Sequence, residues 1–321
     1  MKLHPKLSYH LGKFAFRAIE MLLYPKLSYY KASKLALQKN IEIRITAHYL
    51  DFISGKRIVR ISMRHFVYSV DIIDSYDYYF SAVKPIKFGE FALVDYSLPK
   101  YHEVIGFDLM PVFFPSLSEP MVTTHQYLDF AGLKPGGNVL DLGAYAGVTS
   151  ILFKESVGEL GTVIAVDADE KNIVAIQKNF DLYRKLTGKD IDLIYGAAWN
   201  HSDGLTFSSE GNMGSSATAI VGPNRGDVIS VKSFTLSKIV EVSGLKSVDF
   251  LKCDIEGAES VIFEDAHFFE KFKPKVVVES HMVGGQESAE KFTKDLEGYG
   301  YKCERVNQIG VGLPLYFCTP P

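Results

Sequence analysis

The sequence predicts an α/β protein: a doubly wound sheet in its carboxy-terminal two-thirds, preceded by a smaller β-rich region. Three observations carry this. From about residue 119, short apolar runs alternate with helical patterns, the rhythm of parallel strands and crossover helices. The last two runs are separated only by the short stretch Gln308–Gly312, which calls for an antiparallel hairpin. Residues 41–118 lack that rhythm and are rich in β-branched and aromatic residues.

The chain has 321 residues, enough for one large domain or two smaller ones. With 47% hydrophobic and 23% charged residues it falls in the soluble globular class. A net charge of −3 gives no reason to expect a nucleic-acid partner. The cysteines, Cys253, Cys303 and Cys318, are odd in number and lack metal-ligand spacing, so reduced thiols and a cytoplasmic protein are expected. No apolar run approaches the roughly 18–20 residues of a membrane span, and no signal peptide is visible.

Residues 1–40 stand apart as a basic segment. They carry +7, leaving −10 on the rest of the chain. Within them Leu11, Phe14, Ala15, Ala18, Ile19, Leu22 and Leu23 recur at helical spacing, predicting an amphipathic helix over 11–23. Such a helix either docks on the body of the protein or lies peripherally on an anionic membrane surface. Residues 41–118 follow as the β-rich region. "IEIRIT", "KRIVRISM", "FVYSVDII" and "FALVDYSL" read as strands, and "LMPVFFPSLSEP" reads as a Pro-punctuated linker. Residues 119–321 form the α/β domain. Its strands are "NVLDLG", "TVIAVDA", "IDLIYGA", "VDFLKCDI" and "PKVVVES", closed by the hairpin of "YKCERV" and "LPLYFC".

In open α/β sheets ligands bind beyond the carboxyl ends of the strands. The first such end is "VLDLGAYAGVTS", in which Gly143 and Gly147 bracket a tight turn. Tyr145 and Val148 break the dinucleotide fingerprint, and no phosphate-binding G-x-x-x-x-G-K-[ST] loop is present. The second strand ends in Asp167, followed by Ala168; an acid there accepts hydrogen bonds from ribose hydroxyls. An adenosine ligand without pyrophosphate fits, and S-adenosylmethionine is the candidate. Asp141 is expected near its ammonium group. The amides of Ala144 and Tyr145 are expected at its carboxylate.

"VLDLGAYAGVTSILF", "VIAVDADEKN", "GAAWN", "FLKCDIEGAE" and "VVVESH" occur in order and at suitable spacing. Together they resemble the FkbM-type methyltransferases, and the resemblance covers roughly residues 119–321. It implies a Rossmann-like class I methyltransferase sheet of seven strands with an antiparallel last strand, and S-adenosylmethionine as cofactor. It also implies O-methylation of a hydroxyl on a carbohydrate, glycan precursor or natural product. Two positions depart from the pattern: Tyr145 stands where many relatives have Asn, and Asp167 where many have Glu. N-methylation and a non-catalytic adenosine-binding scaffold stay open as alternatives.

The remaining candidates follow from position. The third strand ends in "GAAWNHSDG", where Ala197 offers a backbone contact to adenine and Trp199, the one tryptophan, offers a stacking face or a core residue. Asp254 ends the fourth strand and is read as a contact to substrate or cofactor amine, with Glu256 lining the site. Glu259, in the first helical turn, is read as a cap. No Asp-Asp or Asp-Asn pair is present, and no metal is expected. His281, after the fifth strand, is the candidate general base, since an imidazole titrates near neutrality. The long connection at 205–231 is either a substrate-recognition loop or a surface hairpin.

Overall fold

Seven strands form the central sheet of the computed structural model, which describes residues 30–119, 121–221, 226–283, 286–309 and 313–321. We number them β1 (Asn138–Leu142), β2 (Thr162–Asp167), β3 (Asp192–Tyr195), β4 (Phe250–Cys253), β5 (Lys275–Glu279), β6 (Lys302–Asn307) and β7 (Pro314–Thr319). Their spatial order is β3-β2-β1-β4-β5-β7-β6. β1 to β5 are parallel, and β7 is antiparallel to both β5 and β6. This is the Rossmann-like class I methyltransferase sheet. Alternate residues feed two cores, one on each face. Leu140, Leu142, Val166, Leu251 and Val278 face one side; Val139, Val163, Phe250 and Val277 face the other. Burial on both faces explains why these strands read as unbroken apolar runs.

The chain divides into two units, Met1–Leu98 and Pro99–Pro321. The boundary falls earlier than the end of the β-rich segment expected from sequence. Lys100–His102 pairs with Val112–Phe114 in the second unit, where the Asn179 side chain bonds both the amide and the carbonyl of Phe113. The amphipathic helix read at 11–23 lies outside the described residues. No helix among the described residues is long and apolar enough to cross a membrane.

In the first unit Glu42–Ile45, Tyr49–Ser54, Arg57–Ser62, Phe91–Tyr96 and Ile86–Phe88 form a five-stranded sheet, in that spatial order. One expected strand is helical instead. "FVYSVDII" falls in a 3-10 turn, Met63–Tyr68, and a helix, Ser69–Asp74. Its β-branched residues suggest a strand, but Ser69, Ile72, Ile73 and Tyr76 are buried at helical spacing. The Ser62 side chain accepts from the Arg64 amide and starts the turn. This helical crossover makes the pairing of Arg57–Ser62 with Phe91–Tyr96 parallel.

The cysteine expectation also needs correction. Cys303 and Cys318 face one another across β6 and β7 and are joined in a disulfide, while Cys253 is a buried free thiol. An odd count concealed a pair that only the hairpin register brings together.

Candidate active site

The strand order reverses between β1 and β4, so the loops leaving these strands meet at the switch point where open α/β sheets bind ligands. They touch closely. A Cβ on Gly143 (φ +75) would lie 1.7 Å from the Asp254 carbonyl oxygen, so only glycine fits. Each loop also holds a non-glycine residue in the left-handed region, Tyr145 (φ 52) and Glu256 (φ 54). Such backbone costs on the order of 1 kcal/mol or more and persists only where surroundings enforce it. At Tyr145 the enforcement is visible. Its hydroxyl donates to the Leu117 carbonyl at 2.6 Å and lies 3.0 Å from the Ser116 hydroxyl.

Asp167 ends β2 and is buried. Its Oδ1 accepts from the Asp169 amide at 2.9 Å and from Asn172 at 3.3 Å, and its Oδ2 accepts from the Tyr145 amide at 2.8 Å. Burial pushes its carboxyl up to about 7 against these bonds. Ala168 and Ala197 pack with Phe207 and Val231 into an apolar wall. The Ala197 amide is taken by the Lys232 carbonyl at 2.8 Å. Trp199 is half-buried, its ring edge-on to His201 at 6.4 Å.

The turn after β1 differs from the sequence expectation. Gly143 and Ala144 amides both donate to the Val166 carbonyl, Gly147 donates to Ala144, and Tyr145 to Asp167. The Ala146 amide donates to Glu119 at 3.0 Å. No amide from 143 to 147 therefore stands open to a cofactor carboxylate. Glu119 was not singled out in the sequence. It is buried, and burial raises its carboxyl to about 8. Its one signal was an acid between two apolar stretches just before a helix.

Asp141 is likewise not open to a ligand ammonium. It is fully buried, accepts from the Ser150 hydroxyl at 2.5 Å and pairs with Lys252 Nζ at 3.3 Å. Lys252 is the second residue missed. It sits inside β4 and is buried. Its ammonium donates to the carbonyls of Leu142 and Gly143 at 3.2 and 2.6 Å, and it reaches Asp254 at 3.6 Å. Burial opposes its charge, but Asp141, Asp254 and Glu119 overcome this and raise its pKa. A lysine within the apolar run "FLKCD" was the available signal, since a buried charge requires partners.

The acids after β4 divide by role. Glu259 is fully buried; it accepts from the Ile255 and Gly257 amides at 2.8 Å each and from His281 Nδ1 at 3.1 Å. It closes the loop rather than merely meeting a helix dipole. Glu259→Gln is expected to cost about 1–3 kcal/mol in urea unfolding, the scale for losing charged bonds to buried donors. A change within the error of the midpoint would show that the loop closes without it. Asp254 and Glu256 keep partly exposed side chains, at 29% and 26%. Around His281 Nε2 lie Glu256 Oε1 at 3.4 Å, Glu279 Oε1 at 3.6 Å and Asp254 Oδ1 at 3.7 Å. Burial disfavours an imidazolium here, but Glu256 and Glu259 outweigh it and raise the pKa well above the ordinary value. Glu259 thus holds one ring nitrogen of His281, and Asp254, Glu256 and Glu279 surround the other.

The connection at 205–231 is anchored. Leu205–Ser209 pairs with Ser216–Ala217 and with Asp227–Val231. Asp169 accepts from the Gly211 amide, the Ser209 hydroxyl and the Ser215 hydroxyl at 2.6–2.9 Å. Asp169 also caps the helix that follows β2, so this excursion is tied to the residues beside Asp167.

Two of these buried acids predict a pH effect. A carboxyl raised on folding stabilises the native state below its unfolded pKa, and that contribution is lost as pH rises through the folded value. With Asp167 raised from 3.8 to about 7 and Glu119 from 4.5 to about 8, the ligand-free protein should lose thermal stability between about pH 4 and 8. Glu119→Gln should flatten the upper part of that decline. A melting temperature rising with pH across this window would contradict it.

The donor set suits one kind of ligand. Asp167 keeps acceptor capacity for ribose, an apolar wall adjoins it, and the partly exposed acids Asp254 and Glu256 suit a positively charged end. S-adenosylmethionine has those parts, with an ammonium and a sulfonium. The fold is thus that of a class I, S-adenosylmethionine-dependent methyltransferase domain. The family profile for the methyltransferase FkbM domain matches residues 141–303, just over half of the sequence. The chain belongs to the FkbM methyltransferase family. No curated protein matches it. Solved structures do. Methyltransferase FkbM from Methylobacillus flagellatus KT is 15% identical with a TM-score of 0.42, over 60% of this chain and 50% of that one. The match thus spans half the length of the Methylobacillus protein. Precorrin-6y C5,15-methyltransferase from Geobacter metallireducens GS-15 is 14% identical with a TM-score of 0.40, over 67% and 90%. An O-methyltransferase from Bacillus cereus, in complex with SAH, is 12% identical with a TM-score of 0.40, over 64% and 82%.

Proposed function

We propose that the protein transfers a methyl group from S-adenosylmethionine to a hydroxyl of a carbohydrate, glycan precursor or natural product. The observation that carries this is the approach of the Asp254 carbonyl to the turn at Gly143, the switch point of the sheet, with the Asp254 side chain beside Lys252 and His281. Methyl transfer is an in-line displacement in which the acceptor oxygen attacks the methyl and the sulfur departs as a thioether. The protein's task is alignment and acceptance of the hydroxyl proton. Asp254 is the proton acceptor. His281 and Lys252 position it from either side, and Glu256 lines the acceptor. Asp167 holds the ribose, Ala168 and Ala197 flank the adenine, and Trp199 closes that end. Incubation with labelled methyl donor across a panel of sugars, glycan precursors and amines tests the reading. Label transferred only to amines would replace it with N-methylation, and binding without turnover on any acceptor would replace it with a scaffold.

Cofactor affinity should depend on Asp167. Asp167→Ala is expected to weaken S-adenosylhomocysteine by about 1–3 kcal/mol in calorimetry, with NAD+ inert. Tighter binding of NAD+ than of the adenosyl ligand would sink the assignment. The basic segment at 1–40 is assigned to docking on the body of the protein, the commoner fate of an amphipathic helix. Flotation with anionic vesicles tests this. Salt-sensitive binding that vanishes on deleting residues 1–24 would instead make the protein peripheral to a membrane.

A further inference from the structure

The carboxylates facing His281 outnumber what a proton acceptor needs. We propose that Asp254, Glu279 and His281 form a binding site for a divalent transition ion of the zinc type. This goes beyond methyl transfer and does not depend on it.

The tautomer of His281 is the starting point. Glu259 already accepts two backbone amides, so it is an acceptor toward the ring as well, and Nδ1 carries the hydrogen. Nε2 is then the free position. It is buried, lacks a hydrogen-bond partner among the described residues and points into the acidic group. Its ligand atom and those of Asp254 and Glu279 all lie within 4.8 Å of one another. The separations of 3.6 and 3.7 Å from Nε2 are too long for hydrogen bonds. They are close to the edge of a tetrahedron built on zinc–ligand bonds of about 2.0–2.2 Å, which is roughly 3.3–3.6 Å.

Each ligand is also held from behind. Glu259 holds Nδ1, as carboxylates do behind metal-bound histidines. The outer oxygen of Glu279 accepts from Gln308 at 3.0 Å and from Tyr127 at 3.4 Å, leaving Oε1 directed inward. The outer oxygen of Asp254 faces Lys252. One imidazole with two carboxylates suits zinc-like ions better than magnesium or calcium, which prefer oxygen alone. Three protein ligands leave a coordination position open, and Glu256 stands beside it. The ligands come from two strand ends in the 254 and 279–281 regions, so no short-spacing motif announces them.

The test needs neither cofactor nor acceptor, so its failure would leave the methyl-transfer reading standing, and the reverse holds too. Full-length protein is stripped with chelator, dialysed, and titrated with Zn2+ by calorimetry and with Co2+ by visible absorption. Expected are one equivalent of Zn2+ and Co2+ bands of the intensity typical of four-coordinate sites. His281→Gln and Glu279→Gln, checked for folding by circular dichroism, should each weaken Zn2+ by more than the roughly 10–100-fold that loss of a supporting residue costs. Asp254→Asn, at a more exposed position, supplies the same readout should either buried variant fail to fold. No Zn2+ heat and no Co2+ bands in the wild-type protein would overturn the proposal. So would binding that is unchanged in the folded variants.

Discussion

Asp254→Asn is expected to lower turnover by about 10²–10⁴-fold, the usual weight of a general base, while changing thermal stability little. The asymmetry follows from where Asp254 sits. Its side chain is 29% exposed, so the amide replaces it without creating a buried vacancy. What the amide cannot do is take a proton. Asn also keeps the shape that Lys252 and His281 pack against, so a loss of activity reports on charge and not on collapse. Stopped-assay turnover with saturating donor, set beside the melting curve, gives both numbers. Wild-type turnover in the variant would remove Asp254 as the proton acceptor. A parallel fall in stability and activity would make it a structural member of the Lys252 network.

Much of this architecture was legible because the sheet is buried on both faces. Runs such as "NVLDLG" and "PKVVVES" are unbroken only when neither face meets water, and the short link before "LPLYFC" forced the antiparallel end. Asp167, Gly143 and Gly147 were legible because strand-end acids and turn glycines have local signatures. What was not legible depends on distance along the chain. Glu119 meets the Ala146 amide across 27 residues, and Lys252 meets Leu142 across 110. The Cys303–Cys318 bond depends on hairpin register, which spacing alone leaves open. The position of His281 after the fifth strand was legible, but the approach of Glu256 and Glu259 to its ring is not encoded locally. In the first unit, composition pointed to a strand at "FVYSVDII" where the period of burial makes a helix. Period is the firmer guide there, since β-propensity mostly reports packing context.

Lys252→Met is expected to be the most destabilising single change, at about 3–5 kcal/mol, because it leaves a buried carboxylate without its counter-charge. The lysine and Asp141 are both buried, at 3% and 0% exposure, so water cannot replace either partner. Burial alone drives the Asp141 carboxyl upward, and Lys252 is the first influence pulling it back. Methionine matches the stem of lysine in volume, so the cost is one of charge and lost hydrogen bonds, not of a cavity. The Leu142 and Gly143 carbonyls lose their donor as well, which loosens the turn that meets Asp254. A second substitution separates these contributions. Adding Asp141→Asn to Lys252→Met removes the unpaired charge and should recover a substantial part of the loss, while the carbonyls stay unsatisfied. Urea unfolding of the two single variants and the double variant gives the coupling directly. If the double variant is destabilised by the full sum of the singles, the charges act independently and the bonds to the two carbonyls are what hold the β1 and β4 loops together.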